Sequence, residues 1–200
     1  MTAGFARLQK SENELIPRLV AEAGADWMLE LAPAASPSPT LDVPRHRMLH
    51  NGEGWIWPCR LETGLLPFAD GDLPGILLRH LFWLESSDAL LDEAMRCLKP
   101  GGLLVSVSAN PWHRISWQEL GRDAFQLPAW PRFLMLHARH RLMMQIPARQ
   151  HWSGVVPGVS PILVVVARKP PRAISVRKLK FRRRPMTGRA ASAGSSCRAA

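Results

Sequence analysis

Hydrophobic and polar positions first alternate with a helical period. Residues 11–23 (SENELIPRLVAEA) carry Ser11 and Glu14 at capping-box spacing and place Leu15, Leu19 and Val20 on one face. Pro17 is expected in the first turn of this helix, and Gly24 stops it. Asp26 to Leu31 (DWMLEL) reads as a short apolar strand. The following APAASPSPTLDVPRHR holds Pro33, Pro37, Pro39 and Pro44, a spacing that forbids a regular helix and predicts a loop of roughly a dozen residues. Trp55 to Arg60 is apolar enough for another strand, and Asp70-Gly71 supplies turn chemistry.

The most legible stretch comes next. Ile76 to Leu81 reads as a buried strand, and Ser86 to Leu98 as a helix with Leu90, Leu91, Ala94, Met95 and Leu98 along one stripe. Lys99-Pro100-Gly101-Gly102 stops that helix, and Leu103 to Ser108 is a strand of the buried parallel type. The order strand, helix, strand predicts a right-handed βαβ unit. Ser116 to Gly121 suits a helical turn. Leu142 to Ile146 and Ile162 to Ala167 read as strands, and a connection without helical pattern makes them antiparallel neighbours. The fold class is therefore α/β, a mostly parallel sheet with an antiparallel C-terminal pair.

Composition changes this picture in one place. The chain has 200 residues, 46% hydrophobic and 21% charged, which suits one domain with a real core. The formal charge of +10 suggests a nucleic-acid partner until it is divided along the chain. Residues 168–200 hold 11 Arg and Lys and no acid, leaving 15 basic against 16 acidic residues before them. The expected organisation is thus a domain over 1–169 and a basic tail over 170–200, whose charge suits phosphates, acidic lipid or an acidic partner.

Cys59, Cys97 and Cys197 are odd in number and widely spaced, which argues against a disulfide framework or a structural zinc site and favours a reducing cytoplasm. The N-terminus lacks a signal-like apolar run, and Ile162 to Ala167 is far too short to span a bilayer. His46 and His50 are four apart but lack a glutamate base between them. His137, Arg139, His140 and Arg141 suit either an anionic substrate or solvated positions beside an edge strand. The eight tryptophans are scattered, as core and pocket-wall packing would have them.

The segment LPFADGDLPGILLRHLFWLESSDALLDEAMRCLKPGGLLVSVSANPW resembles the corresponding region of type-11 class I S-adenosylmethionine-dependent methyltransferases, with an LPF turn before the fourth strand and a KPGG turn before the fifth. PILVVVARKP is similar to the last strand of a proteobacterial group of such proteins, which also end in a basic tail. The resemblance implies a Rossmann-like, seven-stranded sheet with helices on both faces, S-adenosylmethionine as cofactor and methyl transfer to a small or lipid-like acceptor. It carries over Glu30, Leu31, Ala32 and Ala34 as the cofactor loop, Glu62 as the acid that meets the adenine amino group, and Arg79 at the end of the fourth strand. It places His80, Asn110, Trp112 and His113 beside the acceptor. Asn110-Pro111 also reads as an ordinary turn, Arg79 as a surface ion pair, His80 as a core residue and Glu62 as an exposed loop acid.

The departure is in the glycine-rich turn after the first strand. Here it reads Glu30-Leu31-Ala32-Pro33-Ala34-Ala35. Alanine at a position that needs positive φ costs about 1 kcal/mol. No counterpart of the ribose-binding acid follows the second strand, since Asp42 precedes it. The chain is thus expected to be either such a methyltransferase or an inactive member serving as an interaction module.

Overall fold

The computed structural model describes residues 6–34, 36–51, 53–57, 59–61, 65–82, 87–145 and 160–171. Its elements are α1 (Ala6–Ala23), β1 (Met28–Pro33), β2 (Arg45–His50), β3 (Trp55–Trp57), β4 (Cys59–Leu61), β5 (Leu73–Arg79), α2 (Ser87–Cys97), β6 (Leu98–Ala109), α3 (Arg114–Leu120), a 3-10 turn (Gly121–Gln126), α4 (Trp130–Arg139), β7 (Met143–Gln145) and β8 (Ile162–Arg168). They build one eight-stranded sheet in the order β4-β3-β2-β1-β5-β6-β8-β7. Strands β2, β1, β5 and β6 run parallel. β8 and β7 close one edge antiparallel, as expected.

The eighth strand arises at the other edge. Trp55 to Arg60 is not one strand but part of a hairpin, in which Trp57 pairs with Cys59 and Trp55 with Leu61. β2 lies within the stretch read as loop and its flank, because Arg45, His46 and Arg47 hide its strand character from a hydrophobic pattern. The KPGG segment lies within the span of β6, where Gly75 pairs with Leu103 although Leu73 pairs with Leu98, so the residues between bulge out.

Side chains alternate along the strands, and each set meets its own helices. Leu29, Leu31, Ile76, Leu78, Leu104, Leu163 and Val165 pack with Leu91, Ala94 and Cys97 of α2 and Phe133 and Leu136 of α4. Leu77, Leu103, Val105, Val107, Val164 and Val166 pack on the other face with Leu8, Leu15, Ile16, Leu19 and Val20 of α1 and with Leu120 and Ala124. Helices therefore cover both faces. α1 begins well before Ser11, which moves Pro17 from the first turn into the helix interior. The lost backbone bond is tolerated because residues on both sides of it are buried against the sheet.

Two turns that carry the family resemblance have a mechanical role. Glu93 accepts from the Leu66 amide at 2.6 Å, while Arg96 donates to the carbonyls of Phe68 and Leu66 and to Asp70, so α2 grips the LPF turn. At the far end of β8, Lys169 donates to the Met95 and Leu98 carbonyls at 2.5 and 2.6 Å, and Arg168 donates to the Ala23 carbonyl. Both cations thereby satisfy helix C-terminal carbonyls and oppose the negative end of the dipole.

Candidate functional site

From β1 the chain first builds outward to β2 and then returns to place β5 on β1's opposite side. The carboxyl ends of β1 and β5 thus flank the point where strand order reverses, which is where open α/β sheets bind ligands. Glu30 and Arg79 lie near these ends on the face toward α1, and His80 follows Arg79.

A network of buried charge occupies this edge. Arg79 donates from Nη1 to Glu30 Oε1 at 2.7 Å and from Nη2 to Glu12 Oε2, reaching from β5 to β1 and to α1. His80 Nε2 stands 2.5 Å from Glu12 Oε1. Arg47 and Arg45, adjacent to Glu30 on β2, approach its two oxygens at 3.4 and 3.3 Å, and Ser38 donates to Oε2 at 2.7 Å. Glu12, Glu30 and Arg79 are shut off from solvent. Burial alone would raise the Glu12 pKa, but the His80 and Arg79 charges and hydrogen bonds outweigh it and hold the carboxyl below the usual range. Burial, together with the like charges of Arg79 and Arg45, lowers the pKa of Arg47 despite its contact with Glu30.

The same three arginines clamp the proline-rich segment after β1. Arg47 donates to the Ser36 carbonyl, Arg79 to that of Pro37 at 2.8 Å and Arg45 to that of Pro39 at 2.7 Å. From α1, Gln9 donates to the Ser38 carbonyl and Asn13 accepts from the Thr40 amide. Prolines cannot offer amide donors to a ladder or a helix, so side chains position this segment instead. The segment joins two parallel neighbours without a crossover helix.

The expected glycine turn is not needed here. Among the described residues the non-glycine positions with positive φ are His80 (52°) and Arg141 (54°), whereas Ala32 lies within β1 and the Ala34 amide extends the β1–β2 ladder by donating to the His50 carbonyl at 2.9 Å. The strain cost expected for these alanines therefore does not arise. It falls instead on His80, where β5 ends and the left-handed residue carries its ring to Glu12.

Of the cofactor candidates, Glu30, Leu31, Ala32 and Arg79 are enclosed, Ala34 is exposed, and Glu62 lies outside the described residues. Both Glu30 oxygens are already paired within the chain, so a cofactor does not fit against this carboxylate as it stands. Asn110 is buried and ties β6 to β8 by donating to the Ser160 carbonyl at 3.0 Å, while its own side-chain oxygen accepts from the Trp112 amide. His113 caps α3 by accepting from the Ile115 amide at Nδ1. Trp112 projects into solvent.

In the group near residue 140, Arg139 and Arg141 are solvated beside the edge strand β7, as one of the two expectations has it, whereas His137 departs from both. His137 lies on α4, fully buried, with its ring against Phe133 and Phe82 and Nδ1 bonded to the Phe133 carbonyl at 2.7 Å. Sequence reasoning missed α4, although Pro131 in its first turn and Phe133 and Leu136 four and seven residues past Ala129 were the available signals. It also missed Glu12, Arg45 and Arg47, whose signal was an Arg-x-Arg alternation able to face a strand glutamate. Among the described residues no group of His, Cys, Asp and Glu is placed to hold a metal, and no helix is long and apolar enough to cross a membrane.

No family model matches the chain, and no curated protein matches it. Solved structures do. An S-adenosylmethionine-dependent methyltransferase from Aquifex aeolicus superposes with a TM-score of 0.56 at 12% identity, over 84% of this chain and 98% of its own. One from Methanosarcina mazei gives 0.48 at 11% identity over 76% and 97%, a score that adds nothing to the argument. The likeness to the Aquifex protein shows the fold: this chain has the Rossmann-like architecture of S-adenosylmethionine-dependent methyltransferases.

Proposed function

We propose that this chain is an S-adenosylmethionine-dependent methyltransferase acting on a small or lipid-like acceptor. The observation that supports it most is the reversal of strand order between β1 and β5, which gathers Glu30, Arg79 and His80 at one carboxyl edge of a methyltransferase sheet. Residues 1–169 form the domain and 170–200 its basic tail, and Ala34 and Glu62 are the residues assigned to bind the cofactor. Glu30, Leu31, Ala32 and Arg79 set the floor and the position of the Ser36–Thr40 segment. His80, Asn110, Trp112 and His113 border the acceptor. Bound S-adenosylmethionine supplies an electrophilic methyl group, and the protein's task is to align an acceptor with it, which calls for positioning more than for an acid or base.

A second reading has its own support. Because the Glu30 carboxylate is saturated by Arg79, Arg45, Arg47 and Ser38, the chain also suits a methyltransferase fold that has become an interaction module. Calorimetric titration of the full chain with S-adenosylhomocysteine separates the two. Micromolar binding is expected from the first, weakened by Glu62→Ala. No heat from a chain that circular dichroism shows to be folded would leave the second.

A further inference from the structure

Beyond β6 the surface changes character. Trp112 is 71% exposed, Phe125 64% and Trp117 38%, large fractions when the other aromatics among the described residues are buried or half-buried. They form one patch: Trp117 meets Phe125 edge to face at 4.2 Å, and its indole N–H donates to the carbonyl of Pro111, the neighbour of Trp112. The patch is held rigidly. Asn110 fixes the Trp112 amide, His113 caps α3, and Glu119 anchors α3 to the first turn of α1 by accepting from the Arg7 and Leu8 amides. Arg7, Arg114 and Arg122 carry positive charge on the same elements, and Arg7 lies on Gln118 of α3. Glu119, the acid among them, is spent on those amides. Asp123 is the other acid of this stretch.

The geometry points to an anionic lipid surface as the partner of this patch, with Trp112, Trp117 and Phe125 entering the headgroup boundary. This goes beyond the methyltransferase reading and does not depend on it. Indole and phenyl rings on a rigid turn prefer the bilayer interface, and stable peripheral binding takes two signals, an apolar wedge and basic charge. The second signal is in the sequence: residues 172–200 carry nine Arg and Lys and no acid. They follow Pro171, just past β8, and a chain of that length has a covalent reach of roughly 100 Å, enough to share one membrane plane with the patch. Basic residues near an anionic leaflet each add to its attraction. Three rings offer much less than the approximately 800 Å² per side of a stable protein interface, which disfavours a second copy. Trp117 and Phe125 stand perpendicular, so the two rings do not form parallel faces on which successive bases would stack.

Sedimentation of the full chain with sucrose-loaded vesicles tests this. The chain is expected to pellet with vesicles of phosphatidylcholine and phosphatidylglycerol and much less with phosphatidylcholine alone. The double variant Trp112→Ala, Phe125→Ala, at exposed positions that leave Trp117 in place, should partition roughly tenfold more weakly with an unchanged thermal midpoint. Equal partitioning of the double variant overturns the proposal, as does binding to a DNA duplex without binding to either vesicle.

Discussion

Arg79→Met is expected to lower stability by about 3–5 kcal/mol, read as a fall in the urea midpoint without a change in slope. Arg79 is fully enclosed and bridges Glu12 of α1, Glu30 of β1 and the Pro37 carbonyl. Methionine fills much of the same volume, so the loss measures charge rather than a cavity. Glu30 keeps Arg45, Arg47 and Ser38, whereas Glu12 keeps only the contact with the His80 ring. Removing one partner of a buried pair costs more than the pair contributes, because the remaining charge stays out of water. Against a total stability of roughly 5–15 kcal/mol, such a loss brings the chain close to unfolding.

The second large effect is a loss of stability on mild acidification, centred on His137. Burial pushes this imidazole down to about 4, although the bond to the Phe133 carbonyl works the other way. Nδ1 donates to that carbonyl, and Nε2 is enclosed without a hydrogen-bond partner among the described residues. A proton added there would find no acceptor among the described residues, in a ring packed against Phe82 and Phe133. In the unfolded chain the ring titrates near 6.5, so between that value and 4 the unfolded state holds the extra proton. Stability is then complete above pH 6.5 and falls by about 3 kcal/mol as pH drops toward 4. Glu12 extends the loss. Its folded pKa is below 4.5, so its contribution is present above that value and disappears as pH falls through the lowered one. Urea midpoints of wild type and His137→Asn across pH 4.5 to 7.5 check the first step. The asparagine amide retains a donor for the Phe133 carbonyl, and the variant should show a much flatter profile.

Much of the fold was legible where packing and pattern agree. The βαβ unit could be read because α2 is amphipathic, while β5 and β6 are largely apolar runs buried on both faces. The antiparallel pairing of β7 with β8 was legible because the sequence between them has no helical pattern for a crossover. β2 was not, because its buried face is ionic: Arg45 and Arg47 look like loop residues until Glu30 is placed beside them. α1 was read too short, since Pro17 suggests a beginning when the helix is carried through it by burial on either side. α4 was missed between Pro128 and His140, where His137 looks polar but behaves as a core ring.

The candidate site divides along the same line. Glu30, Arg79 and His80 were found from sequence, and they do come together. Their connection runs through Glu12, which appeared only as a spacer inside a capping box. Long-range ion pairing leaves no local periodicity, so it is the least readable part of a chain. Ala32 and Ala34 illustrate the converse: their cost was inferred from a positive φ that neither adopts.

Buried charge linking α1, β1 and β5, rather than a glycine turn, organises the carboxyl edge of this sheet. A double-mutant cycle in urea with Glu12→Gln, Arg79→Met and the pair tests it most directly. Glu12→Gln should destabilise the wild-type chain yet cost little in, or even stabilise, the Arg79→Met background, where it removes a buried carboxylate that has lost its arginine and keeps only the His80 ring. A coupling above about 1 kcal/mol is expected, whereas effects that add to within about 0.5 kcal/mol would mean that the two residues do not act as one network.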